Sequence, residues 1–224
     1  MSIMTLTHFI LVRHGETLWN LEGRRQGQAD SPLTPLGIAQ AQAIAERLAD
    51  EPVDALYSSD LTRALVTAEH VGAACGLPVL ADARLREKSF GVLEGLRYVE
   101  VQAKYPEVSA QVERKSPDYV PPGGESLAAA QQRGIAALID LAWRHPGGRL
   151  IVVSHGALLG MFLRHALGIA LNAPRRFTLM NGSLSFVSYR AYEDAWYVSA
   201  MGETSHLRSV NGRHPERNGA SSAE

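Results

Sequence analysis

The chain has 224 residues, 46% of them hydrophobic, and its 22 Lys and Arg nearly cancel its 23 Asp and Glu, leaving a formal net charge of −1. That balance removes the general electrostatic case for a nucleic-acid or membrane-surface protein, while leaving room for a local basic pocket. Cys75 is the only cysteine, so neither a disulfide within the chain nor a cysteine-based zinc site is available.

In chain order, residues 9–12 (FILV) read as a buried strand. The run is too short for a signal sequence and stops at Arg13. After a Gly-rich polar loop, Thr34-Pro35 offers an N-cap and a proline at the first helical position. Gly37, Ala41, Ile44 and Leu48 continue one apolar helical face. A second strand is expected at 55–57, a helix at 61–74 ending at Gly76, and a short strand at 78–80. Residues 84–124 read as irregular. A helix is expected at 126–144, a strand at 150–153 and a helix at 156–167. Strands at 184–189 and 196–200 close the core. Residues 209–224 are polar and aperiodic, and are expected to be disordered.

Strands alternating with helices predict an α/β fold, a single-domain three-layer α/β/α sandwich with a mostly parallel central sheet over residues 1–208. The longest apolar stretch, 151–171, contains His155, Arg164 and His165 and is a poor membrane span, so the expected location is cytoplasmic.

One internal echo organises the functional reading. Ile10-Leu11-Val12-Arg13-His14-Gly15 and Ile151-Val152-Val153-Ser154-His155-Gly156 share a buried strand, a polar residue, His and Gly. In open α/β sheets, ligands sit beyond the carboxyl ends of the strands. Neighbouring strands would bring these two imidazoles face to face. Arg63, in the first turn of the helix after the second strand, and Glu87, after the third, occupy equivalent places. Two His, two Arg and one Glu suit phosphoryl transfer. A neutral imidazole can attack phosphorus, and guanidinium forks match phosphate oxygens. The second His is expected to be protonated in the complex, and Glu87 to give a proton to the leaving group.

The same residues carry a resemblance. LVRHGETLWN, the run from Gln26-Gly27 through Asp30-Ser31-Pro32-Leu33-Thr34 to Gly37, and Tyr57-Ser58-Ser59-Asp60-Leu61-Thr62-Arg63-Ala64 resemble motifs of the histidine phosphatase superfamily, in its phosphoglycerate mutase-like branch. So do Leu85-Arg86-Glu87 with Gly91 and Glu94-Gly95, Val153-Ser154-His155-Gly156, and Gly202-Glu203-Thr204-Ser205-His206-Leu207. The resemblance runs from about Phe9 to Leu207, and is nearest to small broad-specificity phosphatases of the family. It implies His14 as the phosphorylated nucleophile, with Arg13, Arg63 and His155 binding the phosphoryl group. Asn20, Gln26 and Gly27 would line the pocket, Glu87 would be general acid and then base, and Glu125 and His206 would border the mouth. It implies neither a metal nor another cofactor, and a small phosphorylated molecule as partner.

Mutases of this family carry a Tyr three residues after the acid Glu, and a Lys further on. Here those places hold Phe90 and Tyr98. Between Lys88 and Gly124 five bases face five acids, a poor trap for a bisphosphate. A phosphatase is therefore expected. A mutase-type isomerase and a catalytically silent phosphate-binding protein on the same fold stay open as alternatives, and so does a homodimer formed through a sheet edge. The blander reading applies to His8, His70, His145, His165 and His214, as surface or structural residues. It applies also to Gln40 as packing, to Trp143 and Trp196 as core or interface, and to Glu125 as a residue that simply precedes a helix with Ser126 as its N-cap.

Overall fold

The computed structural model describes residues 6–211. Six strands, β1 (Leu6–Arg13), β2 (Ala55–Ser58), β3 (Val79–Ala81), β4 (Arg149–Ser154), β5 (Leu184–Arg190) and β6 (Ala195–Glu203), form one sheet in the order β3-β2-β4-β1-β5-β6. The first four are parallel, and β5 and β6 add an antiparallel edge. Buried on both faces, the two central strands β1 and β4 are apolar through their middles, at residues 9–12 and 150–153, as the continuous runs require. Phe9, Leu11, Leu150 and Val152 face one side, where α6 (Leu127–Arg144) and α7 (Gly156–Ala166) cover them with Leu138, Leu141, Leu159 and Phe162. Ile10, Val12, Ile151 and Val153 face the other, against Ile44 and Leu48 of α2 (Pro35–Leu48) and Ala64, Ala68 and Val71 of α3 (Thr62–Cys75). This is the expected three-layer α/β/α sandwich.

Helix entries follow their capping residues. Thr34 accepts from the Gly37 amide and Ser126 from the Ala129 amide. Four elements depart from the sequence reading. The loop after His14 contains a one-turn helix, α1 (Leu18–Leu21), closed by a capping box between Thr17 and Asn20. The segment expected to be irregular contains α4 (Tyr98–Lys104) and α5 (Pro106–Glu113). Ser209–Asn211, expected in the unstructured tail, continue from Arg208 as the short helix α8 (Arg208–Asn211). The rest of that tail, His214 included, lies outside the described residues. Trp196 packs in the core against Phe9, Phe162 and Tyr189. Trp143 does not, and is 63% exposed on α6. No helix of the described residues is long and apolar enough to cross a membrane.

Candidate active site

β1 and β4 are neighbours, paired in register through Val12 with Val153 and Arg13 with Ser154. The next residue on each strand is a histidine, so the two imidazoles meet beyond the sheet edge with centroids 5.1 Å apart. Both glycines that follow are needed for close approach. A side chain at Gly15 would run into the backbone of Gly37, where α2 begins. A Cβ at Gly156 would lie 2.9 Å from the Arg13 guanidinium carbon. The repeated His-Gly thus admits α2 beside one histidine and a guanidinium beside the other.

His14 is buried, and its Nδ1 lies 2.7 Å from the Gly15 carbonyl oxygen. A carbonyl only accepts, so Nδ1 carries the proton and Nε2 keeps its lone pair. Burial holds the imidazole pKa well below its ordinary value of 6.5, and the Arg63 and Arg13 charges push it the same way. His155 is fully buried, with Nε2 2.8 Å from the Ser59 hydroxyl. Burial, then Arg63, His14 and Arg13, hold its pKa down as well. The expected protonated state of this histidine is therefore not that of the free protein. Only a bound anion would reverse the sign of the local field.

Arg13 donates from Nη1 to the Leu179 carbonyl at 2.5 Å. Arg63, 1% exposed, donates from Nη2 to Gly27 O at 2.6 Å, and from Nη1 to Ala29 O at 2.8 Å and Asp30 at 3.1 Å. Asp30 also accepts from the first amides of α3, so one carboxylate fixes both that helix start and the guanidinium on it. Arg13 Nε, Arg63 Nε and His155 Nδ1 are buried and have no hydrogen-bond partner. Buried polar atoms left unpaired cost about 1–3 kcal/mol each. Three nitrogens in this condition, on residues whose charges act on one another, leave donor capacity at the sheet's carboxyl edge that makes it a candidate place for an anion.

Glu87 stands near enough for its charge to act on Arg63. Its carboxylate accepts from the amides of Lys88, Ala157 and Leu158 at 2.8–2.9 Å, which caps α7 just beyond His155. Burial raises its pKa, and the three amides and Arg63 oppose that rise without cancelling it. The neighbouring Glu94 is placed differently. It accepts from the amides of Gln28, Ala29 and Phe90 and ties two loops together.

Among the remaining candidates, Asn20 accepts from the Thr17 amide and from Asn181 Nδ2, and Gln26 is buried with its Oε1 unpartnered. Glu125 accepts from the Ser89 amide at 2.8 Å and from Arg133 at 2.6 Å. His206 hydrogen-bonds the Gly182 carbonyl at 2.9 Å. Gln40 does more than pack: its buried side chain accepts from the Glu16 amide at 2.8 Å and holds the loop after His14. Sequence reasoning missed Asn181, whose Nδ2 donates to the His14 and Gly15 carbonyls as well as to Asn20. It also counted Lys88 only as a charge. That side chain is buried, 4.7 Å from the Phe90 ring centroid, and burial pulls its pKa down to about 8. Among the described residues, no three His, Cys, Asp or Glu side chains are grouped so as to hold a metal ion.

The two histidines and two arginines gather beyond the carboxyl edge of a mostly parallel sheet, where open α/β sheets take their ligands. The sequence profile of the Histidine phosphatase superfamily (branch 1) matches residues 9–204. The protein named "Probable phosphoglycerate mutase GpmB" of Yersinia pestis (strain Pestoides F) is 40% identical over 200 residues, 88% of this chain and 93% of that one. Among solved structures, Bacillus stearothermophilus YhfR superposes with a TM-score of 0.83 at 32% identity, over 90% of this chain and 99% of that one. The mycobacterial glucosyl-3-phosphoglycerate phosphatase superposes at 0.79 with 29% identity, over 88% and 99%. The alpha-ribazole phosphatase from Shigella flexneri also superposes at 0.79, with 27% identity over 88% and 96%. The chain belongs to the histidine phosphatase superfamily, and it is a phosphatase of that type.

Proposed function

We propose that the protein hydrolyses small phosphorylated metabolites without a metal, through a phosphohistidine on His14. In the first step His14 Nε2 attacks phosphorus, the P–O ester bond breaks, and its electron pair leaves on the alcohol oxygen. Glu87 supplies the proton that makes that oxygen a neutral alcohol. In the second step a water oxygen attacks the same phosphorus, Glu87 takes the water proton, and the P–N bond breaks with its pair returning to Nε2. The arginines and His155 carry the charge of the equatorial oxygens through both transfers. The observation that carries this reading is the juxtaposition of three unpartnered buried nitrogens with an imidazole whose tautomer frees Nε2.

The names of the relatives point to two fates for the phosphoryl group, water or a second hydroxyl. The segment after Glu87 supports water. Arg97 is paired with Glu100 at 3.3 Å, and Tyr98, at the place where mutases of the family carry Lys, donates to Glu113 at 2.7 Å. Those groups are engaged with one another, as the even count of bases and acids anticipates.

In excess EDTA, the protein is expected to release inorganic phosphate from a panel of phosphomonoesters that includes 3-phosphoglycerate. Isomerisation of 3-phosphoglycerate without release, or activity that vanishes with the chelator, would overturn the proposal. Gly156→Ala provides a second check, because its methyl group displaces the Arg13 guanidinium. KM should rise about tenfold, the order expected for a weakened charge-assisted hydrogen bond, with a smaller change in kcat. Steady-state kinetics with p-nitrophenyl phosphate measures both constants, and an unchanged KM would remove Arg13 from the binding of phosphate.

A further inference from the structure

Glu87 has no regular backbone to stand on. It lies after the single 3-10 turn Ala83–Leu85, outside every strand and helix. The carbonyls of this segment, which a sheet or helix would normally pair, are held by side chains from elsewhere. Arg133, in the middle of α6, donates from Nη1 to Arg84 O at 2.7 Å and to Arg86 O at 2.8 Å. Its Nη2 reaches Glu87 O at 3.3 Å and Glu125 at 2.6 Å. The same Glu125 oxygen accepts from the Ser89 amide at 2.8 Å. Ser154, at the end of β4, donates to Leu85 O at 2.8 Å, and Gln28 reaches Glu87 O at 3.3 Å.

We infer that Arg133 and Glu125 are positioning residues for the acid/base step: a bracket that grips the backbone on both sides of Glu87 and sets where its carboxyl group stands. The inference rests on the proposed role of Glu87. The hydrogen bonds of the two residues go to the 84–89 backbone and to each other. The Arg133 charge is also felt at His155, and Arg133→Lys, which keeps that charge, separates the two effects. Arg133 spans three carbonyls of the segment, at 84, 86 and 87, and a carboxylate with one rigid fork, which a lysine ammonium on a flexible stem cannot do. A carboxyl group about 1 Å out of place can cost on the order of a hundredfold in the step it serves. This reading assigns Glu125, for which the resemblance implied the rim of the mouth and the residues alone only a helix start, to the mount of the acid.

The test uses leaving groups. Benzyl phosphate departs as a basic alkoxide that needs a proton, and p-nitrophenyl phosphate departs as a stabilised phenolate that needs little help. The constant to compare is kcat/KM, because it reports the steps up to phosphorylation of the enzyme and leaves out the return of the phosphoryl group to water. Arg133→Met and Arg133→Lys are expected to lower kcat/KM for benzyl phosphate by about tenfold or more, within the range that general acid catalysis supplies. For p-nitrophenyl phosphate the same variants should stay within about threefold of wild type. Glu87→Gln is the control, and should show the same selectivity to a larger degree.

If the Arg133 variants lose both substrates equally, or neither, while Glu87→Gln is selective, the bracket is wrong and the proposed mechanism stands. If Glu87→Gln is not selective, Glu87 is not the acid, and both readings fall. Arg133→Lys retains the charge and most of the stem. Together with Glu125→Gln, which retains an acceptor for Ser89, it decides the matter should Arg133→Met not fold.

Discussion

His14→Ala is expected to lower kcat/KM for every phosphomonoester on the order of 10⁴-fold or more, and to abolish the phosphorylated enzyme. The size follows from the loss of the nucleophile itself, with nothing nearby equipped to replace it. His155 is the rival within the described site, but its Nε2 already meets the Ser59 hydroxyl, and its ring, with Nδ1 unpartnered, feels the charges of Arg63 and Arg13, as a phosphate ligand would. His155→Ala should therefore cost less, about 10²- to 10³-fold, the scale of removing one donor to transition-state charge, and should still form the phosphoenzyme. Rapid-quench assays on both variants check the assignment. A phosphoenzyme that persists in His14→Ala and disappears in His155→Ala would exchange the two roles.

The second large effect is that of Glu87→Gln, about 10²- to 10⁴-fold in kcat/KM for substrates with alkoxide leaving groups. It also predicts a change in the shape of the pH profile. Attack needs neutral His14, and departure of the leaving group needs protonated Glu87. With ordinary values of 6.5 and 4.5, the form that meets both conditions would never exceed about 1% of the enzyme. Burial moves the two groups toward each other, lowering His14 and raising Glu87, and so enlarges that fraction. The wild-type profile of kcat/KM should be a bell, with its acid limb below 6.5 from His14 and its alkaline limb above 4.5 from Glu87. In Glu87→Gln the alkaline limb should vanish and the acid limb should remain. A wild-type profile that is flat from acid to alkaline pH would contradict both roles.

The parts of this site that could be read in the sequence are those whose signals are local. A four-residue apolar strand followed by a polar residue, His and Gly is visible because each strand is buried on both faces, and because the glycine answers a backbone or guanidinium contact that no side chain allows. Thr34 before Pro35, and Ser126 before its helix, are legible for the same reason. The groups that sequence reasoning missed act at long range. Asn181 is a lone amide in a connecting loop, and its acceptors lie more than 160 residues earlier. Arg133 looks like any exposed arginine of an amphipathic helix until the 84–87 carbonyls fold onto it. The helix α1 is too short for periodicity, although the Thr17–Asn20 capping box marks it. The segment from Tyr98 to Glu113 consists of two helices of seven and eight residues separated by Tyr105, so neither shows enough turns to be read.

The central claim is that the phosphoryl group passes through Nε2 of His14. The most direct measurement mixes the protein with a phosphomonoester in excess EDTA, quenches within the first turnover into alkaline denaturant, and maps the modified peptide by mass spectrometry. The account predicts one phosphoryl group, labile to acid and stable to base, on the peptide that contains His14. A modification on another residue, or full phosphate release with no phosphorylated protein at any quench time, would contradict it.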